Sequence, residues 1–131
     1  SRGLGDVYKR QDNQTIEKEA ISDLDKGFVS RFKSLVEERM KDAELNVEDL
    51  GRNMGMSRVQ LYRKLKSLTN YSPNELLRQM RLKKAASLLA SSDMTVAEIA
   101  YEVGFSSPSY FTKCYKEQFG ESPTEFLKRR G

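Results

Sequence analysis

One internal repeat constrains the fold of this chain more than any other feature of its sequence. The segment Asn46–Pro73 reads NVEDLGRNMGMSRVQLYRKLKSLTNYSP, and the segment Thr95–Pro123 reads TVAEIAYEVGFSSPSYFTKCYKEQFGESP. Before the turn the matching residues lie 49 apart: Val47/Val96, Leu50/Ile99, Met54/Val103, Gly55/Gly104 and Ser57/Ser106. After it they lie 50 apart: Leu61/Phe111, Arg63/Lys113, Leu65/Tyr115, Lys66/Lys116, Ser72/Ser122 and Pro73/Pro123. The second copy therefore holds one extra residue just after its turn, and the self-similarity indicates a duplicated supersecondary unit.

Each copy predicts a short apolar helix, a turn with one glycine, and a helix whose basic residues lie away from its apolar stripe. That layout is typical of a helix-turn-helix, in which Gly55 or Gly104 supplies the positive φ of the turn. The second helix keeps one face for the core and offers the other to the DNA major groove. The core-facing residues are Leu61 and Leu65 in the first copy and Phe111 and Tyr115 in the second. A single copy is weak evidence, and duplicated hairpins without a nucleic-acid role remain the alternative.

The remaining sequence predicts an all-α domain of about seven helices, because no stretch alternates with period two. An amphipathic stripe from Asp25 (Phe28, Phe32, Leu35, Val36, Met40) predicts the first helix. Two pairs of residues resemble capping boxes at helix starts: Asn46 with Asp49, and Thr95 with Glu98. Ser57 is predicted to cap a further helix. Three Ser-Pro pairs, in which serine is the cap and proline the first helical residue, signal other helix starts: Ser72-Pro73, Ser107-Pro108 and Ser122-Pro123. We place the first helix-turn-helix at about 46–68, a linker helix at about 73–90 and the second helix-turn-helix at about 95–119, all within a domain spanning 22–131. Residues 1–21 are interpreted as a linker or a cloning remnant, disordered at its start.

Composition argues against most enzymes. Histidine is absent and Cys114 is the single cysteine, so the commonest zinc sites and Ser-His or Cys-His nucleophile pairs cannot form. We expect no cofactor and no metal, and we interpret Cys114 as core packing. Because no apolar run approaches the roughly 20 residues of a membrane span and no signal peptide opens the chain, we expect a cytoplasmic domain, whose parent protein can still be membrane-anchored.

Charge is segregated along the chain. The net charge is +4. Arg58, Arg63, Lys64 and Lys66 fall together with no acid among them, as do Lys113 and Lys116, whereas the acids collect at Glu37, Glu38, Asp42, Glu44, Glu48 and Asp49. Such segregation is typical of a phosphate-binding face, although a solvated helix face would explain either segment alone.

From about Phe28 to Arg130 the chain resembles the DNA-binding domain of the AraC/XylS family of bacterial transcription regulators. The second copy looks like that family's signature in Ile99-Ala100, Gly104-Phe105, Tyr110-Phe111 and Phe119-Gly120-Glu121-Ser122-Pro123. The first copy, Gly55-Met56-Ser57-Arg58 and Leu61-Tyr62-Arg63-Lys64-Leu65, is similar to output domains of hybrid two-component regulators in Bacteroides-like bacteria. The resemblance implies two subdomains joined by a long helix, with helices at about Ser57–Ser67 and Ser107–Gln118 in adjacent major grooves.

The resemblance also implies which side chains face the bases. By position they are Val59, Tyr62 and Arg63 in the first copy, and Pro108, Ser109, Thr112 and Lys113 in the second, with Arg58 and Gln60 beside them at the helix start. Pro108 departs from the polar residue common there, which predicts weaker base reading by the second copy. We expect the remaining contacts to be to phosphate: Ser57, Lys64, Lys66, Ser106, Ser107 and Lys116.

Arg63 is the strongest prediction among these residues. It lies two residues beyond core-facing Leu61 and so points outward, and a guanidinium pairs in a fork with guanine O6 and N7. Lys113 cannot fork, and phosphate contact is its alternative role. Gln60 can read adenine or contact backbone, and Tyr62 can pack on a thymine methyl or simply lie at the surface.

The expected partner is double-stranded DNA with a non-palindromic site, because the two reading helices differ in sequence. A linker helix of about 27 Å can hold both on one side of a duplex whose major grooves recur every 34 Å or so. We also expect upstream receiver or sensor domains, contact with RNA polymerase, transcription activation as the usual output, and a monomeric isolated domain. A helical protein-interaction module is the competing hypothesis.

Overall fold

The computed structural model describes residues 23–131, and within them the all-α prediction of about seven helices is confirmed. The interpretation of residues 1–21 as a linker or a cloning remnant lies outside the described residues. The helices are α1 (residues 23–39), α2 (Val47–Asn53), α3 (Arg58–Thr69), α4 (Pro73–Ser91), α5 (Val96–Glu102), α6 (Pro108–Phe119) and α7 (Pro123–Arg130). We call α1–α3 the first unit and α5–α7 the second unit.

Side-chain caps fix where the helices start. Ser57, Ser72 and Thr95 each form a reciprocal capping box with the residue three positions on. The box predicted for Asn46 is only half formed: its side chain accepts from the Asp49 N–H at 2.9 Å, but the Asp49 carboxylate instead pairs with Arg39 and Arg52. An arginine is a stronger partner for that carboxylate than a backbone N–H.

The ends of the reading helices show the repeat again. Gly55 and Gly104 have φ of 67° and 95° in the turns, as predicted. Asn70 closes α3 at φ 65°, and Gly120, 50 residues on, closes α6 at φ 80°. Asparagine tolerates this left-handed conformation better than other side chains, so the duplicated C-cap survives a change of residue.

The predicted match of Ser57 to Ser106 is wrong. Ser57 caps α3 through the Gln60 N–H, and the equivalent cap of α6 is Ser107, which accepts from the Tyr110 N–H at 3.2 Å. The extra residue of the second copy is therefore Ser106, which lies between the turn and the cap.

The core is divided into two clusters, one for each unit. Phe32, Val36, Leu50, Leu61 and Leu65 are fully buried in the first cluster. The fully buried hydrophobic side chains of the second are Ile99, Ala100, Val103, Phe111 and Ala85. Helix α4 serves both: Leu76 and Leu77 belong to the first cluster, and Leu82, Ala85 and Leu89 belong to the second. Because each cluster joins one unit to its own part of α4, α4 is the shared element that connects the two cores.

Candidate nucleic-acid interface

Helix α3 presents a basic outer face opposite a buried stripe. Leu61 and Leu65 are fully buried. All five predicted base-reading residues of this helix, Arg58, Val59, Gln60, Tyr62 and Arg63, are exposed. Val59 is 57% exposed and Tyr62 is 48% exposed, so apolar surface is left in water among cations. A thymine methyl or a sugar edge offers such surface a partner.

The cations of α3 differ in the partners they have within the described residues. Arg58 lies 4.0 Å from Glu48, the Lys64 ammonium lies 4.4 Å from the centre of the Phe28 ring, and Lys66 donates to the Asn70 carbonyl at 3.1 Å. Arg63 forms no ion pair or hydrogen bond within residues 23–131. Its guanidinium is therefore the one on this face most free to bind an external acceptor.

Gln60 has a structural role in α3. Its side-chain oxygen accepts from the Ser57 N–H at 2.9 Å, while the Ser57 hydroxyl accepts from the Gln60 N–H at 3.2 Å. Bidentate reading of adenine uses both the amide oxygen and the amide nitrogen. Because the oxygen already serves the cap, bidentate reading of adenine would require this bond to break, whereas a contact with the DNA backbone, the other predicted role, needs only the amide nitrogen.

Helix α6 presents a weaker version of the same face. Ser109 and Lys113 are exposed at its outer face, and Pro108 and Thr112 are partly buried. Ser106 is exposed and Ser107 is partly buried, next to the helix start. Lys116 lies 3.9 Å from Glu125, and Glu117 adds an acid to this face. Helix α3 thus carries four cations and no acid, whereas α6 carries two cations and one acid.

Tyr110 of α6 is also exposed but is not among the predicted base-reading residues. It lies 50 residues after Gln60, one position before buried Phe111, and its side chain is 50% exposed. Its ring centre lies 6.0 Å from that of Phe105. The repeat carried the signal, because Tyr110 occupies the register position of a residue already named as a base reader.

Other kinds of site find little support. Cys114 is 4% exposed and lies in the second core cluster, which confirms the packing interpretation. Within residues 23–131 no group of three acidic or cysteine side chains is arranged to hold a metal ion. None of the described helices is both long and apolar enough to cross a membrane.

Comparison with known proteins gives matches over the two units. The sequence profile of a family described as "Helix-turn-helix domain" matches residues 50–129. Histidine kinase P4 of Formosa agariphila is 37% identical over 109 residues, which are 83% of this chain and 8% of that protein. The chain spans no more than about half the length of the curated relatives that it matches first.

Two solved structures share the fold. A transcriptional regulator from Chromobacterium violaceum, described as having an AraC-type DNA-binding domain, superimposes with a TM-score of 0.74 at 28% identity, over 86% of this chain and 96% of that one. The DNA-binding domain of AdpA, a global transcriptional factor solved in complex with a target DNA, gives a TM-score of 0.72 at 30% identity, over 76% of this chain and 89% of that one.

Proposed function

This chain belongs to the family of AraC-type helix-turn-helix domains, and we propose that it binds double-stranded DNA sequence-specifically to regulate transcription. Helices α3 and α6 enter adjacent major grooves on one side of the duplex. One observation carries the proposal: two equivalent helices, each with a buried apolar stripe and an exposed basic face, are attached to one continuous linker helix.

The length of the linker helix supports this arrangement. Helix α4 has 19 residues and therefore spans roughly 28 Å. Successive major grooves on one face of B-DNA lie about 34 Å apart. The small difference can be taken up by the width of the reading helices or by bending of the DNA.

The roles of individual side chains follow from their exposure and chemistry. Arg63 reads a guanine through its fork, and Val59 and Tyr62 pack against thymine methyl groups. Lys113 contacts a base or a phosphate in the second groove. Lys64, Lys66 and Lys116, with the hydroxyls of Ser57, Ser106 and Ser107, bind phosphates and position the protein without specifying sequence.

Because α3 and α6 differ in sequence, one copy of the domain reads a non-palindromic site and acts as a monomer. The domain carries no catalytic function in this proposal. The match to Histidine kinase P4 supports a signalling parent protein, for which we propose upstream receiver or sensor domains. In this proposal the output domain works in the cytoplasm and activates transcription through contact with RNA polymerase.

A selection experiment followed by a salt titration tests the DNA-binding proposal. Purified domain selects fragments from a genomic library, and the enriched site is measured by fluorescence anisotropy from about 50 to 300 mM salt. The logarithm of the association constant should fall linearly with the logarithm of the salt concentration, by about 0.9 for each phosphate contact. Arg63→Ala should weaken binding roughly 5- to 150-fold and relax the preference at one base pair.

Lys33→Ala is the matched control for the loss of a cation. Lys33 is exposed on α1, outside both reading helices, so its removal should leave the affinity and the preferred site nearly unchanged. If no site is enriched, and affinity is flat across the salt range, the interface is not a DNA interface and the protein-interaction hypothesis replaces it.

A further inference from the structure

The two core clusters meet on α4 at a single charged residue. Met80 packs against the first cluster and Leu82 belongs to the second, with Arg81 between them. A long charged side chain at the junction of two apolar cores requires partners, because burial of an unpaired charge is costly.

Arg81 takes its partner from the loop between α1 and α2. A terminal nitrogen of its guanidinium donates to the Asp42 carbonyl oxygen at 2.8 Å. Burial lowers the pKa of Arg81, and the negative charge of Asp42 raises it in opposition. An arginine stays protonated under these conditions, so the side chain is a permanent cation that links α4 to the first unit.

The same side chain lies against the turn of the second unit. A Cβ built on Gly104 would overlap the Met40 carbonyl oxygen and lie 2.8 Å from Arg81 Nε. Backbone of the second unit therefore touches both the loop of the first unit and the guanidinium that holds it. Arg81 Nε is buried in this contact without a hydrogen-bond acceptor among the described residues.

The turn of the first unit makes no such approach. A Cβ on Gly55 would have no atom of the described residues within 4 Å. The crowding at Gly104 is thus a property of the junction between the units and not of the helix-turn-helix turn itself.

A second link crosses the same junction. The Lys41 ammonium lies 3.1 Å from the Glu102 carboxylate, joining the α1–α2 loop to the end of α5. Both side chains are exposed, so this pair contributes little on its own. It nevertheless ties the same two segments as Arg81 and Gly104.

We propose that Arg81 is a positioning residue that fixes the orientation of α3 relative to α6 and so sets the spacing between the two half-sites that the domain accepts. This inference rests on the proposed DNA-binding function. Arg81 need not touch DNA in this role: it acts through the α1–α2 loop and Gly104.

DNA geometry makes the orientation matter. Adding one base pair between half-sites moves the second by about 3.4 Å along the axis and rotates it by about 34–36°. A rigid pair of reading helices loses contacts on that shift, whereas a loosely connected pair reorients and keeps them.

The first test measures binding to the selected site and to versions with one base pair added or removed between the half-sites. We expect wild type to bind the altered spacings about tenfold or more weakly, a loss comparable to that of a mismatched base pair. Arg81→Met keeps the apolar length of the side chain, and it should reduce that penalty to about threefold or less. Arg81→Lys should restore part of the discrimination because it keeps a donor and a charge. Lys84→Met, a loss of the same charge three residues along α4, should leave the spacing preference as in wild type.

The second test does not involve DNA. Ser67 and Glu117 are exposed, equivalent positions on α3 and α6, and Cys114 is buried away from reagents. Spin labels on Ser67→Cys and Glu117→Cys should give a narrow distance distribution in the otherwise native protein and a broader one with Arg81→Met. An unchanged distribution would overturn the proposal even if DNA binding itself is intact.

A charge-reversal pair keeps the inference testable if Arg81→Met fails to fold. Lys41→Glu replaces this weak attraction by repulsion from Glu102 across the junction, so it should broaden the label distance and weaken spacing discrimination, each by less than Arg81→Met does. Lys41→Glu with Glu102→Lys should restore both. The proposal is wrong if the variants weaken all spacings by the same factor, or if none changes the spacing preference. Failure of wild type to bind DNA at any spacing would instead count against the proposed function, and the label distances would still report on Arg81.

Discussion

The two helix-turn-helix units share a register but use it differently. In the first, the turn glycine Gly55 stands in open space and α3 carries four cations without an acid. In the second, Gly104 is pressed against Met40 and Arg81, and α6 carries two cations and one acid. One copy therefore keeps its charge on the outer face, whereas the turn of the other is engaged in contacts within the molecule.

The largest expected effect separates the two turn glycines. Gly55→Ala should lower the free energy of unfolding only by the cost of placing alanine in the left-handed conformation, about 1–2 kcal/mol. Gly104→Ala adds to that cost the overlap with Met40 and Arg81, so we expect a loss of about 2–5 kcal/mol. Urea denaturation of both variants, followed by circular dichroism, measures the difference.

Equal losses at the two glycines would show that the junction yields to a methyl group at little cost, and would weaken the case for a rigid connection. Gly120→Ala is a useful reference, because Gly120 also has a positive φ of 80° and a methyl group added there would meet no atom of the described residues within 4 Å. It should behave like Gly55→Ala.

The next largest effect is expected on DNA affinity, when the outward-facing cations of α3 and α6 are removed one at a time. Arg63→Ala should reduce the affinity for the selected site by about 1–3 kcal/mol, because it removes a bidentate base contact. Lys113→Ala should reduce the affinity by less, and by the same factor on all DNA sequences. The salt slope should fall by about 0.9, the amount expected for one phosphate contact. Anisotropy titrations on the selected site and on a scrambled duplex give both quantities.

A larger, sequence-dependent loss for Lys113→Ala than for Arg63→Ala would reverse the order of the two units as readers. Arg63→Lys sharpens the assignment, since it keeps the charge but loses the fork. It should retain the salt slope and lose the base preference.

Much of this fold was readable from the sequence because its signals are local. Caps such as Ser72 and Thr95, and glycines at positive φ, act within one turn of helix. Ser106 and Ser107 show the limit of the repeat alone. Its spacing matched Ser57 to Ser106, whereas the Ser107-Pro108 start signal predicted the cap that the structure has.

The connection between the units was not readable, because it depends on long-range contacts. Nothing in the neighbourhood of Arg81 in the sequence indicates a bond to the Asp42 carbonyl, 39 residues away. Gln60 illustrates the same limit at the interface, since its exposed position is compatible with base reading, whereas its hydrogen bond to the cap becomes visible only in three dimensions.

A smaller effect is expected at the caps of the reading helices. Ser57 takes part in two reciprocal bonds with Gln60, whereas Ser107 makes one bond and is followed by Pro108, which favours the helical start by its fixed φ. Ser57→Ala removes only the hydroxyl that accepts from the Gln60 N–H and keeps the backbone bond to Gln60 Oε1, so we expect it to cost about 1 kcal/mol of stability. Ser107→Ala should cost about 0.5 kcal/mol, because Pro108 also holds the start of α6. Thermal unfolding of the two variants measures the contrast.

Gln60→Glu tests the two roles of Gln60 separately. The carboxylate keeps the acceptor for the Ser57 N–H, so stability should hold, while its negative charge should weaken DNA binding. Equal stability of Ser57→Ala and Ser107→Ala would mean that Pro108 adds nothing to the start of α6.

The smallest expected effect is a loss of stability of the second unit as the pH falls. Arg129 donates to Glu121 at 2.6 Å and holds the pKa of that carboxyl below its usual value, while Tyr71 occupies the equivalent position in the first unit. A lowered pKa in the folded state means that the contribution to stability is present above the ordinary glutamate pKa and is lost as the pH falls through the lowered value.

Glu121→Gln should thus reduce the melting temperature slightly at neutral pH, and the difference in melting temperature from wild type should close under acid. Glu117→Gln removes an exposed acid of α6 that has no ion pair among residues 23–131, and as the control it should leave the melting temperature at neutral pH nearly unchanged. Hydrogen exchange can measure how far acid loosens each unit. If acid loosens the first unit as much as the second, the Glu121–Arg129 pair is not the cause of a difference in their stability under acid.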